Sequence, residues 1–216
     1  MSEIDRHTLL NHLHWRYATK KFDPKRKISE ADWKTLEHAL VLSPSSYGLQ
    51  PWKFVIVTDP KVRQELLPAS WGQHQVVDAS HLVVFAARNA IGKDDVLKYI
   101  SRISEVRDAP PEALSSFRDM MLGSVTPARP EAETNLWTSR QAYIALGILL
   151  SAAALLKIDT CPMEGFEPAK YDQILGLDKM GYSAVVLCTA GYRAADDAHA
   201  HHAKVRFDPK DVLVRI

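Results

Sequence analysis

Residues 142–156 constrain this chain more than any other stretch. They are almost wholly apolar and lie between Arg140 and Lys157. The run is too short to cross a bilayer, which needs about 20 consecutive apolar residues. A helix that is apolar on every side belongs at the centre of a core or in an oligomer interface. A chain of 216 residues can build that core, burying about 70% of its unfolded surface. No repeat, low-complexity tract or linker divides it, so residues 1–216 read as one domain.

The rest of the pattern supplies what packs around that helix. Leu9, Leu10 and Leu13 share one face of a helix expected over residues 5–19. Ser29 is a good N-cap, with Asp32 at the capping-box position, and Trp33, Leu36 and Leu40 follow at helical spacing over 29–42. Pro60 opens a short helix after Asp59. Weaker helical patterns cover 95–104 and 111–122. The long helix occupies 131–158, and a short one over 168–175 stops at Gly176. Residues 54–57, 81–87 and 183–189 read as strands buried on both faces. Val212, Val214 and Ile216 alternate like a terminal strand. Helices outnumber strands, which predicts an α+β fold with a short, mixed central sheet flanked by helices.

Charge and motifs exclude several functions. The formal net charge is +1, so no global field recruits nucleic acid or an anionic membrane. No G-x-G-x-x-G, P-loop or G-x-S-x-G motif is present. Any nucleotide must therefore bind by another route. His199, His201 and His202, near Asp196 and Asp197, read as a solvated polar loop, and we assign no metal site. Cys161 and Cys188 read as small buried hydrophobes, not reactive thiols or a disulfide framework. The polar N-terminus lacks a signal core, which makes the cytoplasm the expected compartment.

Three segments carry the chemistry. The first runs Arg16-Tyr17-Ala18-Thr19-Lys20-Lys21-Phe22-Asp23. The second runs Pro44-Ser45-Ser46-Tyr47-Gly48-Leu49-Gln50-Pro51-Trp52. The third runs Pro162-Met163-Glu164-Gly165-Phe166 and is followed by Lys204-Val205-Arg206. Each alone has an ordinary reading: cations at a helix end, a turn, a loop after a strand. In this order, with Asp78-Ala79-Ser80-His81, Phe117 and Gln141-Ala142-Tyr143, they closely resemble the nitroreductase family of FMN-dependent NAD(P)H oxidoreductases. Within it, the likeness is to the oxygen-insensitive nitroreductase and dihydropteridine reductase branch.

The resemblance implies an intertwined homodimer of α+β subunits, with FMN in the interface and NADH or NADPH as co-substrate. It implies that Arg16, Lys204 and Arg206 hold the FMN phosphate, a role suited to charge-assisted hydrogen bonds. Tyr17 and Ala18 flank that site. Lys20 matches a lysine near the flavin N1 and O2 edge, where a cation favours the reduced state. Pro44, Ser45 and Ser46 match a loop that lines the partner's ring. Pro162, Glu164 and Gly165 match the segment on the ring's other side, where a backbone N–H of Glu164 or Gly165 meets N5. Tyr47, Gly48 and Phe117 match the substrate pocket, which Tyr47 narrows. The implied reaction is a ping-pong hydride transfer through N5 to a nitroaromatic, quinone or similar flat acceptor. No side chain is the catalyst, because the flavin carries the chemistry.

Some positions depart from the family pattern. Ala18 replaces a serine, Tyr17 stands where some members have histidine, and Gly48 and Leu49 replace polar residues. Gly72 and Gln75 stand for an asparagine and a lysine, although Gln75 can still hydrogen-bond the flavin's pyrimidine edge. These changes bear on substrate preference. Related proteins of this fold also carry out dehalogenation or flavin breakdown, and a non-catalytic flavin-binding stress protein is a further alternative.

Overall fold

The computed structural model describes residues 4–125 and 130–216. In chain order its elements are α1 (Arg6–Trp15), α2 (Glu30–Val41), β1 (Trp52–Val57), α3 (Pro60–Ala69), α4 (Gln75–Asp78), β2 (His81–Arg88), α5 (Lys93–Arg107), α6 (Ser115–Val125), α7 (Glu131–Leu155), β3 (Asp159–Met163), α8 (Pro168–Leu175), β4 (Tyr182–Gly191) and α9 (Pro209–Val212). The named strands form one sheet in the order β1-β2-β4-β3, each pair antiparallel. The parallel component that makes it mixed is a bridge between Ala18 and Thr160 on the outer edge of β3.

Period-2 alternation sorts the central strands between two helical layers. Leu82, Val84 and Ala86 face a cluster with Leu66 of α3, Val76 of α4 and Tyr171 of α8. Val83 and Phe85 face the opposite cluster, with Trp33, Leu36 and Leu40 of α2 and Ala142, Ala145, Leu149 and Ala153 of α7. The β2–β4 register shifts after Phe85, skipping Val185. That bulge is why Ala184 and Leu187 share one cluster while Val186 and Cys188 lie in the other. A third cluster packs Leu49 with Val96, Ile100 and Ile103 of α5 and Met121 and Val125 of α6.

The core reading of the long apolar helix holds for one of its sides. One side of α7 is buried in the core, while Tyr143, Ile144 and Ile148 on the other are exposed in the single chain. The leucines of α1 are exposed as well, and α1 has no buried residue. Among the described residues, no helix is long and apolar enough to cross a membrane.

Four expectations need correction. The N-terminal helix ends at Trp15, not residue 19, because Arg16 turns extended and Ala18 joins β3. The first strand is not buried on both faces: β1 is an edge strand, and Phe54, Val55 and Ile56 are half-exposed. Pro162 lies within β3, not in a loop; a strand with one free edge tolerates the missing N–H. The C-terminus forms no strand. Asp208 caps the short α9, with Pro209 in its first turn, and Val214 and Ile216 beyond it are exposed and unpaired.

Candidate functional site

The first segment meets Lys204 and Arg206 at the N-terminal end of β3. Ala18 bridges Thr160, Phe22 bridges Arg193, and Asp197 ties the rest together. The buried Asp197 carboxylate accepts from the Tyr17 hydroxyl at 2.8 Å and from the N–H groups of Lys20, Lys21 and His199 at 3.0–3.1 Å. Burial acts to raise this carboxyl, but those hydrogen bonds outweigh it and hold it below the usual carboxylate range. Tyr17 therefore spends its hydroxyl on structure. Burial, followed by that bond to Asp197, pushes its pKa up to about 12.

These contacts enclose a cleft of about 550 Å³. Arg16, Lys204 and Arg206 line it, together with Arg193, three histidines and no carboxylate. The Arg16 Nε is buried without a hydrogen-bond partner among the described residues. Burial, then the nearby Arg206 charge, lowers the Arg16 pKa. Lys204 donates to the Arg16 carbonyl, and burial followed by the two arginines lowers its pKa. Three mutually repelling cations with an orphaned donor among them could hold a multiply charged anion. Arg193 is already occupied: it pairs with Asp159 at 2.5 Å and lies over the rings of Trp15 and Tyr17 at 4.4 and 4.5 Å. A terminal phosphate fits the remaining donors.

At the other end of β3, Glu164 is exposed and Gly165 half-exposed. The Tyr143 hydroxyl donates to the Glu164 carboxylate at 2.5 Å. Burial, then that bond, pushes the Tyr143 pKa up to about 12, so it remains a donor at neutral pH. The Glu164 carbonyl accepts from the Phe166 N–H at 3.0 Å. Nε2 of Gln73 donates to the Gly165 carbonyl at 2.6 Å. A β-carbon on Gly165 would lie 2.9 Å from that Nε2 and 3.0 Å from the Trp71 ring, so only glycine fits without displacing them.

The second segment lies elsewhere on α7. Ser46 N–H donates to Gln141 Oε1 at 2.8 Å, and Ser45 Oγ accepts from Gln50 N–H at 2.9 Å. Pro44 is exposed. Tyr47 has φ 59°, and its hydroxyl shares a 2.7 Å bond with Ser124 of α6. Gly48 has φ 75° and lies so close to Tyr99 that no β-carbon fits. Tyr47 and Phe117 both pack against the α5–α6 cluster. Gln141 and Tyr143 are two residues apart, about 200° around a helix. Within one chain, α7 thus separates the Pro44–Gly48 loop from Glu164.

The sequence-predicted residues therefore fall into three groups. Arg16, Tyr17, Ala18, Lys204 and Arg206 share the cationic cleft, with Lys20 exposed beside it. Pro162, Glu164 and Gly165 follow β3 to its other end. Pro44, Ser45, Ser46, Tyr47, Gly48 and Phe117 lie on the α5–α6 side. Gln75 is buried on α4, and its side chain makes no hydrogen bond to the described residues. Asp197 and Gln73 were missed as organising residues. Nothing in the local sequence marks either, since each acts on a partner distant in the chain. Cys161 and Cys188 are free, buried and raised in pKa, primarily by burial, as inert thiols should be.

Comparison with known proteins gives a consistent result. A provisionally named NAD(P)H nitroreductase of Staphylococcus epidermidis is 38% identical over 213 residues, covering 95% of this chain and 96% of that protein. A counterpart in Staphylococcus aureus is 37% identical over 196 residues, 88% of each chain. Among solved structures, a nitroreductase-like protein of Exiguobacterium sibiricum crystallised with FMN superposes with a TM-score of 0.79 at 20% identity, covering 100% of this chain and 99% of that one. An enone reductase of gut-bacterial fatty acid saturation matches at 0.79 and 22%, covering 99% and 100%. A sequence model of the Nitroreductase family matches residues 13–192, and the chain belongs to that family.

Proposed function

We propose that this chain is a homodimeric FMN-dependent oxidoreductase that passes hydride from NADH or NADPH to a small flat acceptor in a ping-pong cycle. The cationic cleft is the observation that carries the reading. Arg16, with its unpartnered Nε, Lys204 and Arg206 would hold the FMN phosphate. Lys20 would stand near the pyrimidine edge of the ring. The Gly165 N–H suits the role of partner to N5. A trans peptide points its N–H opposite its C=O, and the Glu164 carbonyl is turned toward Phe166. No described residue accepts from either the Glu164 or the Gly165 N–H. Bound FMN supplies the two-electron acceptance and donation, and the side chains bind and orient.

The homodimer is supported by α7. The Pro44–Gly48 loop and Glu164 lie on opposite sides of that helix, so one ring contacts both only if two copies contribute. The exposed apolar side of α7 and the leucines of α1 are the surfaces such a dimer would cover. Tyr47, Gly48 and Phe117 would border the acceptor's entry. Purified protein should be yellow, release FMN and not FAD on denaturation, sediment as a dimer, and bleach on addition of NADH or NADPH. An acceptor screen with a quinone, a nitroaromatic and an enone then identifies the substrate class. A protein that neither carries nor takes up FMN would end the proposal.

A further inference from the structure

We infer that Gln73 and Tyr143 are positioning residues that aim the Glu164–Gly165 peptide, and through it set the flavin's reduction potential. The inference rests on the FMN reading above and adds to it two residues from separate parts of the fold. The segment after β3 is a short exposed turn, and an exposed turn by itself samples several peptide orientations. Here it is held on three sides. Gln73 leaves the α3–α4 connection and spends both protons of its amide nitrogen on carbonyls, Ser70 at 3.1 Å and Gly165 at 2.6 Å. Tyr143 reaches from α7 to the Glu164 carboxylate at 2.5 Å. The Phe166 N–H, with its side chain anchored in the core, takes the Glu164 carbonyl.

These clamps bracket the Glu164–Gly165 peptide from both sides. Gln73 holds the carbonyl after the Gly165 Cα, Phe166 holds the carbonyl before it, and Tyr143 holds the side chain of the residue preceding it. The Gly165 N–H between them has no acceptor among the described residues. The close approach of Gln73 and Trp71 also explains the glycine, because a β-carbon would push the clamp away. The carboxylate of Glu164 thereby serves as an anchor.

An N–H aimed at N5 discriminates between redox states. In bound FMN, oxidised N5 would accept from it, whereas reduced N5 would carry its own proton. A well-aimed N–H therefore favours the oxidised flavin, and loosening it raises the potential. A purely structural role would weaken both redox states equally and leave the potential unchanged.

The test uses full-length Gln73→Met, which keeps side-chain length without a donor, and Tyr143→Phe, which keeps the ring on an exposed helix face. Each is titrated with FMN and its midpoint potential measured. Gln73→Met should change the ratio of oxidised to reduced FMN affinity by about tenfold, a rise of about 30 mV for a two-electron couple, and Tyr143→Phe should change it by a smaller factor in the same direction. Hydrogen exchange of the flavin-free proteins should show faster exchange across residues 164–166 in both variants. Unaltered potentials in variants that bind FMN would overturn the inference, as would a fall in potential. Failure of the unsubstituted protein to bind FMN would instead overturn the functional reading on which it rests. If Gln73→Met does not fold, Tyr143→Phe alone decides by the same criterion.

Discussion

The two ends of β3 solve different recognition problems. At Asp159–Thr160, side chains from residues 16 to 206 converge to make a cationic cleft, and their geometry depends on one buried carboxylate, Asp197. At Glu164–Gly165 the group we propose to act is a backbone N–H, with Gln73 and Tyr143 holding the residues around it. On the proposed reading the first end recognises charge and is therefore open to disruption by single substitutions. The second recognises direction, and changing the residue that carries the amide matters less than changing what holds it.

The largest expected effect is at the charged end. Arg16→Ala should weaken FMN binding about a hundredfold, because charge-assisted bonds of about 1.5–3 kcal/mol are lost from the most enclosed cation. Titration of apo-protein measures it, and an affinity within threefold of the parent would remove Arg16 from the site.

Asp197→Ala should break the same end without touching the other. It leaves the Lys20 and Lys21 N–H groups and the Tyr17 hydroxyl without their acceptor. A cost of about 2–3 kcal/mol lowers the melting temperature by roughly 4–12 °C for a chain of this size. The pH dependence follows from the same contacts. The folded carboxyl lies below its ordinary value, so its stabilisation is complete above the unfolded carboxylate pKa and is lost as pH falls through the lower folded one. Melting scans should show the parent losing stability on acidification more steeply than the variant. Parallel curves would contradict this assignment.

Arg206→Ala should cost about tenfold in FMN affinity, less than Arg16→Ala, since Arg206 is exposed and its Nη1 also donates to the neighbouring Val205 carbonyl at 2.6 Å. Reversal of that order in the titrations would mean that the exposed rim, not the enclosed donor, dominates binding.

The smallest effect belongs to the directional end. Glu164→Gln keeps an acceptor for Tyr143 and leaves the backbone N–H in place. Reoxidation should slow by less than about tenfold, below the 10²–10⁴ expected of a general acid. Stopped-flow reduction and reoxidation with saturating FMN separate the half-reactions. A selective loss of reoxidation by orders of magnitude would make Glu164 a proton donor.

What could be read in the chain was local or ordered along it. The apolar run of α7, the Ser29 cap of α2, the continuous apolar strand β2 and the order of the three motifs all depend on near neighbours or on sequence order, and they led to the α+β fold and the family. The alternation of Val212, Val214 and Ile216 misled because a strand exists only where an edge is available to pair with it, and none adjoins it among the described residues. Pro162 concealed β3 for the opposite reason: an edge position removes the penalty that proline would incur inside a sheet. Tertiary structure alone decided that Tyr17 serves Asp197, that Arg193 is spent on Asp159 while Arg16 keeps a free donor, and that Gln73 reaches Gly165 across 92 positions. Each is a pairing between residues far apart in the chain, and the hydrogen-bond partner of a buried or clamped group is selected by which backbone arrives beside it, a fact no local pattern encodes.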